Sequence, residues 1–297
     1  VIFQFYTNLK GTETPKDVKE KTDILNRFEI TLSNAEIFLK ESKSLKGKFE
    51  PIGVVQGWSP DSMANAADSL IKMGYEYLAI GGMVPLSADS ILLVLDSVSK
   101  KIKKDTKIHL LGFGKIDRIK EFQKYNLYSF DTTSPLLRAF KDSKHNLIMP
   151  GKKNEFTYYT AFRIPQSTEN RSLMRLIKNN LFSYEEVHTK EKNTLKLLRS
   201  FEDGSAQLEE TLQSLIEYSK IYLTDHNYPD KDNSVKLDRL YGDYKKLLQD
   251  KPWEKCDCQV CKKCGIQMAI FRGSNRNKRR GMHNLHVFNN QLKKICN

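Results

Sequence analysis

The sequence predicts an α/β fold built on a parallel sheet. Two observations carry that expectation. Over the first 135 residues, short apolar runs alternate with longer charged, amphipathic stretches. The same runs also finish in glycine or in polar residues, so one end of each strand is marked.

The strand-like runs are 51–57 (PIGVVQG), 75–82 (YEYLAIGG), 108–114 (IHLLGFG) and 127–133 (LYSFDTT). Helix-like segments at 59–73, 87–104 and 115–125 lie between them, and 33–40 has the pattern of a helix preceding the first strand. Asp61 and Ser87 have the chemistry of N-caps, and Gly74 that of a helix stop. Repeating β-α units of this size imply parallel strands joined by right-handed crossovers. The marked ends carry Gln56, Gly81-Gly82, Gly112-x-Gly114 and Asp131. In α/β barrels the carboxyl ends of the strands hold the chemistry. A closed barrel needs eight strands and four are visible, so the N-terminal strands are expected upstream of this chain. An open doubly wound sheet is the alternative.

From about residue 134 the pattern becomes irregular. Residues 158–164 (YYTAFRI) have strand character. Residues 171–181, 191–200, 206–223 and 235–248 have the pattern of charged, surface-lying helices, and 169–171, 203–205 and 227–234 that of loops. Three segments follow: 1–135 with the parallel β-α units, 136–250 mostly helical, and 251–297 with its own composition.

The chain of 297 residues is 39% hydrophobic and 29% charged, ordinary for a packed protein. No run of eighteen apolar residues occurs, which excludes a hydrophobic membrane-spanning helix. The start, VIFQFY, has neither an initiating Met nor a basic region, and a fragment is expected. The net charge is +13. Residues 251–297 hold eleven Lys/Arg against Glu254 and Asp257. A concentrated basic surface is the footprint of phosphate binding, although a solvated tail has the same composition. Arg272, Arg276, Lys278, Arg279 and Arg280 form its densest cluster.

All five cysteines, at 256, 258, 261, 264 and 296, fall in this segment. A disulfide framework spreads its cysteines, whereas crowding at one end points to metal in a reducing, cytoplasmic setting. Cys256-Asp-Cys258-Gln-Val-Cys261 supplies three thiolates of a tetrahedral zinc site. The fourth ligand is one of Cys264, His283, His286 or Cys296. Cys264 would thread four ligands through nine residues, which strains tetrahedral geometry; His283 would join two distant pieces of chain. Free thiols and an iron–sulfur cluster on Cys256, Cys258, Cys261 and Cys264 are the competing readings.

These residues together resemble the tRNA-guanine transglycosylases. Cys256-x-Cys258-x2-Cys261 followed by His283-Asn284-Leu285 is similar to their zinc signature. Gly53-Val54-Val55-Gln56-Gly57, Ala79-Ile80-Gly81-Gly82-Met83, Leu111-Gly112-Phe113-Gly114 and Phe130-Asp131 with Pro135 resemble four further motifs in the same order. The resemblance implies a (β/α)8 TIM barrel with a C-terminal zinc-binding subdomain, and it favours His283 as the fourth ligand of a structural Zn2+. It implies a ping-pong base exchange in which Asp131 attacks the nucleoside C1′, guanine leaves, and a 7-deazaguanine displaces the enzyme. Gln56, the backbone of Gly81, Gly82 and Met83, and the Gly112–Gly114 strand end fall on its base-binding positions. Its other aspartates are expected upstream of Val1, since Asp17 and Asp23 lie in charged, helix-like sequence.

Two departures point within the family. Gly57-Trp58 stands where Gly-Gly is usual, and Thr132-Thr-Ser-Pro-Leu-Leu-Arg-Ala-Phe140 follows Asp131. Both resemble the DNA 7-deazaguanine transglycosylase branch, which inserts 7-cyano-7-deazaguanine into DNA, with tRNA as the alternative substrate. Such an enzyme must extrude its target base, so backbone contacts are expected from the Arg272–Arg280 cluster. Trp58 as a stacking residue, and Arg138 and Lys141 as phosphate contacts, compete with packing and a solvated helix face. A homodimer or partner proteins of a modification system are also implied. The rival classes are a non-catalytic nucleic-acid-binding relative and a lyase or aldolase on an unrelated barrel. The latter lacks a lysine inside the strand runs, Lys107 standing only at a strand start.

Overall fold

A computed structural model describes residues 18–45, 47–152 and 155–296. The chain divides into two compact units, one running to Ser134 and joined by Cys296, the other spanning Pro135–Ile295. Asp17 lies outside the described residues, as does the opening hexapeptide.

The first unit contains helix α1 (Val18–Lys43), strand β1 (Gly53–Val55), α2 (Pro60–Met73), β2 (Tyr77–Ile80), α3 (Ala88–Ser99), β3 (Lys107–Leu110), the single turn α4 (Ile119–Phe122) and β4 (Leu127–Phe130). The four strand runs expected from sequence are all present. They form one parallel sheet in the consecutive order β1-β2-β3-β4. Doubly wound sheets reverse their strand order at a switch point. The described strands show no such reversal.

Helix starts are set by local chemistry. Ser59, rather than Asp61, caps α2: its side chain accepts from Ser62 N while Ser62 Oγ accepts from Ser59 N, with Pro60 at the first helical position. Asp61 instead places its charge in the first turn, where the helix dipole favours it. Ser87 caps α3 and Gly74 (φ 108°) ends α2, both as expected. The third helix-like segment is less regular than its pattern suggested. It is α4 flanked by 3-10 turns at Ile116–Arg118 and Gln123–Tyr125.

Register divides the sheet into two faces. Val55, Leu78, Ile80, Ile108 and Leu110 are in phase and fully buried. The opposite phase holds Val54, Ala79 and His109, and there Val54 stays exposed. Strand β4 carries one extra residue: Ile108 pairs with Leu127, but His109 pairs with Ser129, which leaves Tyr128 bulged out and 65% exposed. The Tyr128 ring packs edge-on against Tyr77, and the Lys107 ammonium lies 5.1 Å from its centroid. Trp58 is buried, 5.6 Å from the Phe28 ring, so it packs the unit and has no free face for a base.

The second unit contains α5 (Ser134–Lys141), the antiparallel pair β5 (Leu147–Pro150) and β6 (Phe156–Tyr159), β7 (Phe162–Arg163), α6 (Arg171–Lys178), α7 (Tyr184–Glu202), α8 (Leu208–Leu223), α9 (Ser234–Asp250), α10 (Gln259–Cys264), β8 (Ile270–Phe271) and α11 (Ser274–Cys296). The single strand expected at 158–164 is broken at Thr160-Ala161. Its second half, β7, pairs in parallel with β8. Helices α6 to α9 are not merely surface-lying. Leu173, Leu198, Leu212, Leu215, Tyr244 and Leu247 enter a continuous core with Phe162, Trp253, Cys258 and Cys261. Charge counts hid this, because each helix keeps a polar outer face and buries only one stripe. No helix among the described residues is long and apolar enough to cross a membrane.

Phe162 is fully buried between the Tyr244 and Trp253 rings, at centroid distances of 5.4 and 6.5 Å. Phe162→Ala is expected to destabilise the second unit by about 3–5 kcal/mol. Urea unfolding followed by tryptophan fluorescence measures this, and a loss below about 1 kcal/mol would mean that the aromatic trio is not a keystone of this core.

Candidate active site and metal centre

The strand ends converge on one row. Val55, Ile80, Leu110 and Phe130 are neighbours in register, so the next residues, Gln56, Gly81, Leu111 and Asp131, align at the carboxyl edge. Backbone bonds continue the ladder one step further: Gly81 N to Val55 O (3.0 Å), Leu111 N to Ile80 O (3.1 Å) and Asp131 N to Leu110 O (3.4 Å). A Cβ on Gly81 would stand 3.4 Å from Gln56 Cγ, so the Gln56 side chain lies across this residue. Gln56 Oε1 is buried and has no hydrogen-bond partner among the described residues. An acceptor in that state is costly unless a ligand completes it.

Asp131 projects its carboxylate into the open, with the side chain 57% exposed. Its Oδ1 accepts from Gly112 N at 3.0 Å and lies 3.2 Å from His109 Nε2. Gly112 has φ 70°, and a Cβ there would meet Val84 Cγ2 at 2.5 Å, so only glycine can aim this N–H at the carboxylate. Gly82 is exposed, also at positive φ (75°), and Gly114 lies against Ser134. Met83 is buried, which leaves its backbone as the part that could meet a ligand. Asp23, on α1, is ion-paired to Arg27 one turn away at 2.7 Å and belongs to the helix surface. Sequence reasoning found Gln56, the glycines and Asp131. It missed His109 because the bond to Asp131 crosses 22 residues of chain.

In the second unit, Cys256, Cys258, Cys261 and His283 bring one ligand atom each to within 4.8 Å of all the others. His283 Nδ1 stands 3.5, 3.5 and 3.3 Å from the sulfurs of Cys256, Cys258 and Cys261. Zinc bond lengths at the tetrahedral angle place sulfur and nitrogen about 3.6 Å apart, so the four residues fit such an ion. His283 Nε2 donates to Ile148 O at 2.9 Å, which fixes the tautomer and leaves Nδ1 free for metal. Cys264 is not part of the cluster, and His286 faces Asp257 at 3.2 Å.

The electrostatics suit a cation. The hydrogen bond with Cys261, and then that with His283, draws the Cys256 thiol down to about 3, against the opposing effect of burial. Cys261 is pushed well up by its bond to Cys256 and by burial. Burial acts to lower the His283 pKa, yet its bonds to Cys256 and Cys258 hold it at about 9. Shared protons stand where an ion would replace them. Asn284, next in sequence, accepts from Ile148 N and donates to Pro135 O and Asn146 O, tying α11 to β5.

The basic cluster needs correction. Arg280 is fully buried, donating to Ile270 O at 2.9 Å, to Asn277 Oδ1 at 2.8 Å and to Ala139 O at 2.5 Å. Burial pulls its pKa down to about 9. It braces α11 and cannot touch a phosphate. Arg272 pairs with buried Glu191, and Arg276 with Gln267. Only Lys278 and Arg279 of the five remain exposed. Arg138 is likewise engaged, with Asp142, His145 O and the Tyr158 ring.

No family model matches the chain. It is similar to the DNA-guanine transglycosylase of Salmonella montevideo, 36% identical over 266 residues, which is 90% of this chain and 60% of that protein. It is also similar to the queuine tRNA-ribosyltransferase of Chlamydia felis (strain Fe/C-56), 31% identical over 98 residues, 33% of this chain and 25% of that protein. The chain therefore spans less than two thirds of the length of the curated relatives it matches.

Cys258→Ser is expected to remove the bound metal, about one ion per chain, and to loosen the second unit. In the unaltered protein metal affinity falls as the pH falls, because protons compete for the thiolates and the imidazole. Elemental analysis after dialysis at two pH values checks both. Equal metal content in the variant would remove Cys258 from the ligand set.

Proposed function

We propose that the chain belongs to the tRNA-guanine transglycosylase superfamily and performs base exchange on nucleic acid as a pentosyltransferase. On this reading DNA is the substrate and a 7-deazaguanine such as 7-cyano-7-deazaguanine is the incoming base. The observation that carries it is Asp131. A carboxylate stands at the carboxyl edge of a parallel sheet with Oδ1 held by two donors, and no hydrogen bond reaches Oδ2 among the described residues. The similarity to the Salmonella protein supports the DNA substrate, and the shorter similarity to the Chlamydia protein keeps tRNA as the second reading. The consecutive strand order supports reading the sheet as part of a (β/α)8 barrel.

In this reaction Oδ2 of Asp131 bonds to C1′ of the target nucleoside. The C1′–N9 bond breaks, and guanine departs with its electron pair and takes up a proton. The incoming base loses its N9 proton, attacks C1′ and returns the electron pair to the Asp131 carboxylate. Gln56 Oε1 accepts from a base N–H, and the backbone at Gly81, Gly82 and Met83 meets the base edge. Cys256, Cys258, Cys261 and His283 would hold Zn2+, and four such protein ligands would make the site structural, joining α10 to α11 rather than supplying chemistry. Lys278 and Arg279 are the cations of the original cluster left to contact phosphates.

Asp131→Asn keeps the shape and the acceptor for Gly112 N–H but removes the nucleophile. In the full-length protein it should abolish exchange of labelled guanine while DNA binding persists; exchange at the normal rate would falsify the assignment. Nucleoside mass spectrometry of DNA and tRNA from cells with and without the gene separates the two substrates. The double variant Lys278→Ala, Arg279→Ala should flatten the salt dependence of DNA binding by roughly 0.9 in slope per lost contact. Arg280→Ala should instead lower stability, and an unchanged slope in the double variant would return both cations to the solvated surface.

A further inference from the structure

We infer that His109 is the positioning residue of the Asp131 carboxylate, with Ser129 and Tyr77 as the groups that set its tautomer. The inference rests on the reading of Asp131 as nucleophile and extends it to residues outside the family motifs. His109 is on β3, Ser129 opposite it on β4, and Tyr77 on β2. Ser129 Oγ lies 2.5 Å from the Tyr77 hydroxyl and 2.6 Å from His109 Nδ1. His109 Nε2 then reaches Asp131 Oδ1 at 3.2 Å. Three side chains from adjacent strands, with Asp131 just past the end of β4, thus make one continuous chain that ends on the carboxylate.

One assignment of hydrogens satisfies every link for a neutral imidazole. A carboxylate only accepts, so Nε2 carries the hydrogen and Nδ1 presents its lone pair. Ser129 must then donate to Nδ1, and Tyr77 must donate to Ser129. The histidine side chain is 17% exposed, so the ring is held against the sheet rather than free in solvent. The bulge at Tyr128 is what brings Ser129, rather than Tyr128, opposite His109.

The consequence falls on both half-reactions. With Oδ1 occupied by Gly112 N–H and His109 Nε2–H, the carboxylate cannot rotate freely, and Oδ2 is presented for attack. In the covalent ester Oδ1 is the carbonyl oxygen and carries little charge. When the Oδ2–C1′ bond breaks, charge returns to the carboxylate, and the same two donors receive it. Hydrogen bonds to an ion are about twice as strong as those to a neutral group, so His109 favours the free carboxylate over the ester. It both aims Asp131 and makes it a better leaving group.

The test uses the full-length protein, labelled guanine and a guanine-containing DNA duplex. His109→Ala should lower kcat for exchange about a hundredfold, as expected for a misaimed nucleophile, with little change in KM. The equilibrium ratio of covalent adduct to free enzyme, read on denaturing gels, should rise about tenfold. His109→Gln, which keeps an N–H near the Nε2 position, should recover most of the rate. Ser129→Ala, which leaves the imidazole in place without its partner, should lose about tenfold in kcat. A wild-type rate and adduct ratio in His109→Ala, beside an inactive Asp131→Asn, would overturn the positioning role while leaving the nucleophile intact. Exchange that survives Asp131→Asn would remove the nucleophile reading itself. If His109→Ala does not fold, as judged by circular dichroism, the Gln and Ser129→Ala variants decide: equal activity in both and in wild type counts against the inference.

Discussion

The register of the four-stranded parallel sheet is the constraint on which the first unit depends. Backbone pairing brings Gln56, Gly81 and Asp131 to one edge although they are separated by up to 75 positions in sequence. The pairing also decides which side chains are covered. Leu78, Ile80, Ile108 and Leu110 are fully buried on one face, and this fixes the phase of every residue on the other. A slip of one residue would turn His109 toward the helices and bury a polar ring without partners. The apolar face therefore enforces the polar geometry through backbone pairing, Leu110 O itself accepting from Asp131 N.

The second unit solves a different problem with similar means. Three thiols and one imidazole must meet from chain segments 22 or more residues apart, and the helix carrying the imidazole must be held while they do. Asn284 binds the β5 backbone, Arg280 binds Ile270 O and Ala139 O, and His283 itself binds Ile148 O. These bonds come from residues 280, 283 and 284, neighbours on one helix. Most of the polar atoms these residues bury thereby find backbone partners, Arg280 Nε being left without one among the described residues. The four ligand atoms thus meet in a framework already drawn together by hydrogen bonds.

Much of this was legible in the sequence, and the limits have physical reasons. Glycines, caps and cysteine spacing act locally, so the strand ends, Ser87, Gly74 and the Cys256–Cys261 knuckle could be read directly. The basic cluster could not, because charge in a sequence does not reveal burial: Arg280 looks the same in text whether it is solvated or, as here, fully enclosed. The helices between 171 and 250 were underestimated for the same reason, since a single buried stripe suffices to build a core. His109 left no local signature at all. Its partners lie 20 and 22 residues further along the chain, and their meeting depends on a bulge that no pattern of residue types announces.

That bulge has a consequence for how the segment can vary. Side chains alternate across a strand, so an extra residue reverses the phase of everything beyond it. In β4 the reversal lies between Leu127 and Ser129, just ahead of Asp131. Substituting Tyr128 changes only the ring exposed there. Deleting it would restore regular pairing to the ladder with Ser129 still opposite His109, whereas a deletion between Ser129 and Asp131 would turn the carboxylate away from the imidazole. The spacing from Ser129 to Asp131 is thus constrained together with the identity of both residues, while position 128 is held far less strictly.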